Sequence, residues 1–327
     1  MRIVFMGTPA FAVPTLQQLL KTDFSVVGVV CQPDRPSGRG KKVQVGPVKA
    51  LALSQNIPMV QPEKMKDPHL METLRAWNPE VVVVAAYGRI LPKPILDLPP
   101  KGCLNVHGSL LPKYRGAAPI QWAVIQGEVK TGVTIMLMDE GMDTGAILQQ
   151  EEVAIGPEET SGELASRMAQ VGGALLVRTL RGWVAGTMSP LPQNDSAATL
   201  APILTKEDGL MYWDRPARTL ANRIRGLLPW PGVYTFLEGE RWGIWKAQVE
   251  DQEPDIRRIA DDISQAPGTI TAITKHAIRV KTGQGSLNLL EIQPENKKRM
   301  HVADYVAGHR VTIGMTFSMG RYDDLAV

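Results

Sequence analysis

Cysteine is rare in this 327-residue sequence, and long hydrophobic segments are absent. The only two cysteines, Cys31 and Cys103, are far apart, and neither belongs to a C-x-x-C motif. This pattern argues against both a disulfide framework and a locally encoded metal site. No apolar run reaches the roughly 18–20 residues of a membrane span, and the N-terminal residues do not resemble a signal peptide. We therefore expect a cytoplasmic protein without a metal or a membrane partner.

An excess of charge of one sign is also missing. The formal net charge is +3, with 21% charged and 44% hydrophobic residues, which is close to the average for globular proteins. Bulk charge therefore does not indicate a nucleic-acid partner, and any such footprint must lie in local clusters. The length exceeds the size at which single hydrophobic cores usually stop growing, so we expect two domains.

Residues 1–185 alternate short β-branched runs with helical stretches, a pattern typical of βαβ units. It predicts a Rossmann-like α/β domain: a mostly parallel sheet with helices on both faces. The predicted strands are Arg2–Met6, Ser25–Gln32, Ile57–Val60, Val81–Ala86, Leu104–His107, Val133–Met138 and Ile147–Ile155. The predicted helices are Pro9–Lys21, Val48–Gln55, Pro68–Trp77, Ala118–Gln126 and Ser161–Trp183.

Residues 186–206 contain three prolines and little periodicity, which predicts a linker between domains. Residues 207–327 then show one helical stretch followed by five short strand-like runs. Five such strands predict a small antiparallel barrel of the oligonucleotide-binding (OB) type. The predicted helix is Arg215–Leu228, and the strands are Val233–Leu237, Gly243–Val249, Gly268–Thr274, Ala277–Lys281 and Ser286–Ile292.

Two polar residues, Asn105 and His107, end the strand that precedes a Gly-Ser-Leu-Leu-Pro loop. Because strand side chains alternate, both point to the same face. Open α/β sheets bind ligands at such strand ends, and an amide beside an imidazole offers an oxyanion donor and a proton acceptor. The pair suits acyl transfer. Alternatively, both side chains simply cap the backbone of the loop.

An acidic, turn-rich loop follows the strand Val133–Met138 and contains Asp143. If that strand lies beside the one ending at His107, both loops open on the same sheet edge. The carboxylate of Asp143 would then orient His107 and favour its protonated form. The alternative is an ordinary turn residue.

The motif N-x-H-G-S-L-L-P-K-Y-R-G-A-A-P begins at Asn105, and M-D-E-G-M-D-T-G ends just after Asp143. In combination they resemble the folate-dependent formyltransferase family. The resemblance implies transfer of a formyl group from 10-formyltetrahydrofolate as cosubstrate, with Asn105, His107 and Asp143 as the catalytic residues. It also places the tetrahydrofolate site on the loop of four residues that follows Gly108, namely Ser109, Leu110, Leu111 and Pro112.

The loop after the central strand contains Tyr87 and Gly88. A flat pterin needs an apolar slot with backbone hydrogen bonds, and this loop is a candidate to help form it. A simple turn at the strand exit is the alternative.

A basic loop, residues 32–42, contains Arg39, Lys41 and Lys42 among prolines and glycines. Taken alone, it is typical of a solvated surface loop. It also resembles the insertion with which some family members engage the acceptor end of tRNA. This resemblance implies that charged initiator tRNA is the partner and that its methionyl amine is formylated to give N-formylmethionyl-tRNA. We expect a monomer.

Three other functions fit parts of the sequence. A sugar-nucleotide N-formyltransferase would use the same folate donor, but such relatives lack the basic loop. Glycinamide ribonucleotide formyltransferase has a single domain, so it leaves residues beyond 206 unexplained. A catalytically silent nucleic-acid-binding protein would not need Asn105, His107 and Asp143 together.

Overall fold

In the computed structural model, residues 1–37, 42–250 and 265–319 are described, and they form two compact units. Unit 1 comprises residues 1–120, 130–155 and 163–203, and unit 2 comprises 121–129, 156–162 and the described part of 204–327. The sequence-based boundaries at residues 185 and 206 stay a prediction. Within the described ranges, no helix is both long and apolar enough to cross a bilayer.

The first 201 residues contain eleven strands and six α-helices within the described ranges. The strands are β1 (Arg2–Gly7), β2 (Ser25–Val30), β3 (Pro36–Ser37), β4 (Lys42–Val43), β5 (Met59–Val60), β6 (Val81–Ala85), β7 (Cys103–His107), β8 (Arg115–Gly116), β9 (Lys130–Leu137), β10 (Ile147–Ala154) and β11 (Leu200–Ala201). The helices are α1 (Val13–Leu20), α2 (Pro47–Ser54), α3 (Pro68–Trp77), α4 (Lys93–Leu96), α5 (Pro119–Ile125) and α6 (Ser161–Val184).

The main sheet of unit 1 has the strand order β10-β9-β7-β6-β1-β2-β5. The five strands from β7 to β5 pair in parallel, whereas β9 and β10 are antiparallel additions at one edge. All five residues of β6 are buried, as a central strand covered on both faces requires. The prediction of a mostly parallel sheet in an α/β domain is therefore confirmed.

A glycine at the end of β1 keeps the carboxyl edge of the sheet compact. A Cβ atom on Gly7 would lie 2.8 Å from the Cβ of Ala12 and 2.9 Å from the carbonyl oxygen of Ala85. Both distances are too short for any larger residue, so the turn into α1 can pass close to β6 only with glycine here. This edge is where β7 also ends.

The relation between β9 and β7 differs from the sequence-based expectation. The two strands are neighbours, but they run antiparallel, with Leu104 opposite Leu137 and His107 opposite Thr134. The end of β9 therefore lies beside the beginning of β7. The prediction that the loops after these strands open on the same sheet edge is wrong, because it assumed parallel pairing. The loop after β9 must therefore fold back over the sheet for its residues to reach the end of β7.

Unit 2 is built around a curled antiparallel sheet. Its strands are β12 (Val233–Leu237), β13 (Glu240–Val249), β14 (Ile270–Ile273), β15 (Ile278–Lys281), β16 (Ser286–Pro294), β17 (Met300–His301) and β18 (Phe317–Ser318), and its helices include α7 (Ala217–Gly226) and α8 (Val302–Gly308). The order is β14-β15-β16-β13-β12-β18, with β17 beside β16. A bridge between Thr269 and Thr316 links the two ends of this order. The five predicted strands are all present, and β17 and β18 add two short ones.

Aromatic rings in stacked and edge-to-face contact fill the interior of this curled sheet. The rings of Trp213 and Phe317 are 5.5 Å apart, and Trp242 lies 5.5 Å from Phe317 and 4.6 Å from Tyr305. Such rings bury large apolar areas and add edge-to-face attraction. The core of unit 2 is therefore rich in aromatic side chains.

Candidate active site

Strand β7 carries the predicted amide and imidazole. Asn105 is 8% exposed and His107 is 5% exposed. They are two residues apart on the same strand, so their side chains leave the same face of the sheet. The strand lies between β6 and β9, which holds its backbone on both sides. The sheet itself therefore fixes both side chains at its carboxyl edge.

Both ring nitrogens of His107 face oxygen atoms. Nε2 lies 3.0 Å from the carbonyl oxygen of Tyr114, and Nδ1 lies 3.6 Å from Oδ1 of Asp143. A carbonyl oxygen can only accept, so Nε2 must be the donor in the first contact. Nδ1 is then the ring nitrogen that faces the carboxylate of Asp143.

Asp143 reaches this pair from the loop between β9 and β10. Its Oδ1 lies 3.4 Å from Nδ2 of Asn105, and its Oδ2 accepts a hydrogen bond of 2.9 Å from the backbone N–H of Gly116. Its φ of +56° is a left-handed conformation that aspartate tolerates better than most residues. The structure thus brings Asn105, His107 and Asp143 together, while their catalytic roles stay a prediction.

The predicted folate loop follows β7 directly and is tied down by β9. Ser109 is fully buried and donates from Oγ to the carbonyl oxygen of Lys113 at 2.6 Å. The hydroxyl of Thr134 donates to the carbonyl oxygen of Ser109 at 2.6 Å and accepts from the N–H of Leu111 at 3.1 Å. The buried Leu111 precedes a cis peptide bond to Pro112, and Leu110 is partly exposed. Binding of folate by these four residues stays a prediction.

The loop with Tyr87 and Gly88 follows β6, beside the end of β7. The ring of Tyr87 is buried, its hydroxyl contacts Sδ of Met65, and burial raises its pKa to about 12. The side chain therefore belongs to the core. Gly88 has a φ of +73°, which suits glycine in a tight strand exit. This loop can thus offer a ligand mainly backbone groups.

The basic loop is only partly described. Arg39 and Lys41 lie outside the described residues, and Lys42 is placed in β4, which pairs with β3. Near the start of the loop, Asp34 forms an ion pair with Lys49, which also donates to Oε1 of Gln61. The hydrogen bond from Lys49 lowers the pKa of Asp34, helped by one from Gln61. The tRNA-binding roles of Arg39, Lys41 and Lys42 stay predictions.

Helix α7 contains Arg223 and Arg225 in its last turn. Both donate to backbone carbonyl oxygens within unit 2. Arg223 donates to the carbonyl oxygen of Asp208, and Arg225 donates to those of Gly156 and Glu159 at 3.1 and 3.2 Å. A guanidinium occupied by backbone carbonyls has fewer hydrogen-bond donors to offer a phosphate.

Several residues around the site are not singled out by the sequence. Thr134 and Gln150 support the folate loop, since Nε2 of Gln150 donates to both Thr134 Oγ1 at 2.8 Å and the carbonyl oxygen of Leu111 at 2.9 Å. Gly116 and Gln193 contact Asp143. Gly116 lies inside the quoted R-G motif, but the other three have no local signal because their contacts are distant in sequence.

No three His, Cys, Asp or Glu side chains in the described ranges gather as the ligands of a metal ion would. The sequence-based expectation that no metal is bound stays a prediction.

Comparisons with known proteins match most of this chain. A family model described as formyl transferase matches residues 1–180, and one described as formyl transferase, C-terminal domain, matches 203–310. A methionyl-tRNA formyltransferase from Syntrophus aciditrophicus is 48% identical over 95% of this chain and 97% of its own length.

Two solved structures share the fold at lower sequence identity. An N-formyltransferase from Helicobacter canadensis, solved with folinic acid and dTDP-3-aminofucose, has a TM-score of 0.64 at 17% identity, over 88% of this chain and 98% of that one. A methionyl-tRNA formyltransferase from Clostridium thermocellum has a TM-score of 0.53 at 16% identity, over 77% and 95%. With near-complete coverage by a relative at 48% identity, this chain belongs to the formyl transferase family, in its methionyl-tRNA formyltransferase group.

Proposed function

We propose that this protein transfers the formyl group of 10-formyltetrahydrofolate to the amino group of methionyl-initiator tRNA, giving N-formylmethionyl-tRNA. The observation that carries the proposal is the meeting of Asn105, His107 and Asp143 at the end of β7 in a chain of this family. The name of the 48% identical relative supports the amine substrate. That the protein is a cytoplasmic monomer stays a prediction.

The amide of Asn105 is proposed to stabilise the oxyanion. When the amine attacks the formyl carbon, negative charge develops on the formyl oxygen. Nδ2 of Asn105 carries two hydrogens, and its contact with Asp143 uses one of them. The second hydrogen is then available for the developing oxyanion. Losing one such donor typically lowers the rate by about 10²–10³.

His107 is proposed to handle the proton through Nδ1. Its Nε2 is occupied by the carbonyl oxygen of Tyr114, whereas Nδ1 lies on the side of Asn105 and Asp143. The carboxylate of Asp143 orients the ring, so Nδ1 is placed either to stabilise the oxyanion or to transfer a proton. Since 3.6 Å is longer than a good hydrogen bond, this contact leaves room to exchange partners when substrates bind.

The proposed reaction needs no covalent bond between the formyl group and the enzyme. A bond forms between the methionyl nitrogen and the formyl carbon, and the bond between that carbon and N10 of the folate breaks. The amine loses a proton and N10 gains one, so the net change is transfer of a formyl group in exchange for a proton. The protein then contributes positioning, electrostatic stabilisation and a proton route.

The folate donor is proposed to lie against the loop 109–112. The backbone of this loop is fixed at the same sheet edge as Asn105 and His107, where the formyl group must react. Thr134 and Gln150 hold that backbone from β9 and β10. A relative of the same fold was solved with folinic acid, which is itself a formylated reduced folate.

The basic loop is proposed to engage the acceptor end of the tRNA. Arg39, Lys41 and Lys42 would contact phosphates there, which makes binding weaken as salt rises. The ion pair of Asp34 with Lys49 supports this role because it fixes the start of the loop.

The decisive experiment mixes the purified protein with 10-formyltetrahydrofolate and either methionyl-initiator tRNA or a 4-amino sugar nucleotide. We expect formylation of the tRNA alone, detected by mass spectrometry of the released aminoacyl group. Formylation of the sugar nucleotide instead would establish the alternative function. In the same assay, Arg39→Ala should raise KM for the tRNA and leave KM for folate unchanged; unchanged constants for both would refute the role of the loop.

A further inference from the structure

The segment Leu191–Ala201, which the sequence assigns to a linker, is hydrogen-bonded along its length to the rest of unit 1. Leu191 and Ile147 form a bridge with two hydrogen bonds of 2.8 Å. Further along, the carbonyl oxygen of Thr199 accepts from the N–H of Arg115 at 2.8 Å, and β11 pairs in parallel with β8. This segment is therefore held to β10 at one end and to β8 at the other, beside the candidate active site.

One side chain of this segment, that of Gln193, is hydrogen-bonded to the loop that carries Asp143. Nε2 of Gln193 donates to the carbonyl oxygen of Asp143 at 2.8 Å and to that of Gly145 at 2.7 Å. Its other end, Oε1, accepts from Nε and Nη2 of Arg115 at 3.1 and 2.8 Å. Because a guanidinium only donates, the orientation of the amide is fixed by its partners.

Arg115 is itself anchored. It is 8% exposed, and its Nη2 also lies 2.7 Å from Oδ1 of Asp195. Its neighbour Gly116 donates to Asp143 and has a φ of +125°. A Cβ atom on Gly116 would lie only 2.6 Å from the carbonyl oxygen of Ala201. The segment thus approaches this backbone too closely for any residue but glycine.

Asp143 needs such external support. It follows a strand that runs antiparallel to β7, and it adopts a left-handed φ. Its contacts with Asn105 and His107 are 3.4 and 3.6 Å long, so they are weaker than its contacts through Gly116 and Gln193. The short contacts therefore set where its carboxylate lies.

We propose that Gln193 is a positioning residue that places the carboxylate of Asp143 against His107 by holding the backbone of its loop, with Arg115 fixing the orientation of the Gln193 amide. The kinetic part of this proposal rests on the proposed function. The structural part does not, because the position of Asp143 can be measured without substrates.

The structural test follows the amide proton of Gly116 by hydrogen exchange, since this N–H donates to Oδ2 of Asp143. Gln193→Met removes both donors at similar side-chain length. We expect it to raise the exchange rate of the Gly116 amide by at least about tenfold, with the amides of β6 unchanged. The control Leu200→Ala shortens a side chain of the same segment that is 75% exposed, and it should behave as the unaltered protein. An unchanged Gly116 amide in Gln193→Met overturns the proposal.

The kinetic test uses a double-mutant cycle with Asp143→Asn. Gln193→Met alone should lower kcat by about 10- to 100-fold with little change in either KM, because it displaces a reacting-site group rather than a binding surface. In the Asp143→Asn background, the same change should have less than about a threefold effect. Equal losses in both backgrounds would indicate general damage and overturn the proposal.

If Gln193→Met does not fold, Gln193→Glu replaces it in both tests. In this variant one carboxylate oxygen still accepts from Arg115. The other oxygen replaces the donor and faces the carbonyl oxygens of Asp143 and Gly145, which it cannot bind, so we expect the same losses. Absence of formylation in the unaltered protein would contradict the proposed function alone, and the exchange result would still decide the role of Gln193.

Discussion

The candidate active site combines two kinds of support. Asn105 and His107 stand on β7, a strand paired on both sides, whereas Asp143 stands in a loop that returns from an antiparallel strand. Sheet hydrogen bonds fix the first two. The carboxylate depends on contacts from Gly116 and Gln193, which are 27 and 50 residues away in sequence.

The difference teaches that the two supports fail in different ways. A residue on a paired strand can be replaced without moving its neighbours, because the backbone stays in place. A residue on a loop moves when a distant contact is lost. Substitutions on β7 should therefore remove a reacting group without moving the rest of the site. Substitutions in the supporting contacts should instead displace the carboxylate of Asp143.

The largest expected effect comes from the strand residues. Asn105→Ala and His107→Ala should each lower kcat by about 10²–10³ or more, because an oxyanion donor or a proton carrier is lost. Tm should change by less than about 4 °C. The Gly116 amide should stay protected from exchange, since Asp143 is held elsewhere. Rates close to those of the unaltered protein in both variants would remove Asn105 and His107 from the mechanism.

A smaller effect is expected at the support of the folate loop. Thr134→Val leaves the carbonyl oxygen of Ser109 and the N–H of Leu111 without this hydroxyl. The free energy of unfolding in urea should fall by roughly 1–3 kcal/mol. KM for the folate should rise, because the loop backbone is less well fixed.

Thr15→Val is the matched control for that change. Thr15 is equally buried, but its hydroxyl has no hydrogen-bond partner within the described ranges. Its replacement should leave the free energy of unfolding unchanged or raise it slightly, since an unpaired polar group is removed from the core. Equal destabilisation by both variants would mean that the bonds made by Thr134 do not matter.

The last expected effect concerns the buried thiols of Cys31 and Cys103 and leaves catalysis unchanged. Burial raises the pKa of both Cys31 and Cys103 from an ordinary value of 9.0 to about 12. At pH 8 in the folded protein, alkylation of both thiols should be at least about 100-fold slower than in urea. Because only the unfolded chain ionises these thiols above pH 9, the free energy of unfolding should decrease from pH 9 toward 12. Fast alkylation of the folded protein would contradict a desolvated strand core.

The sequence predicts the elements well where a local pattern exists. The strand Val233–Leu237 has the predicted bounds, and the apolar run at Val81 is the buried central strand. The antiparallel direction of β9 escapes prediction, because alternation of apolar residues is the same in either direction. The segment containing Gln193 reads as a linker since its prolines break local periodicity, although the hydrogen bonds of Gln193 are all long-range.

By itself, the sequence determined the family, the two kinds of sheet and the amide and imidazole at one strand end. Those features follow from residue types and spacings among residues that are only a few positions apart in the chain. Only the tertiary structure decided how Asp143 arrives and what holds it, because contacts between residues 116, 143 and 193 form only when distant segments pack together. The physical reason is that a loop has no repeating pattern to fix it, so its geometry comes from its partners.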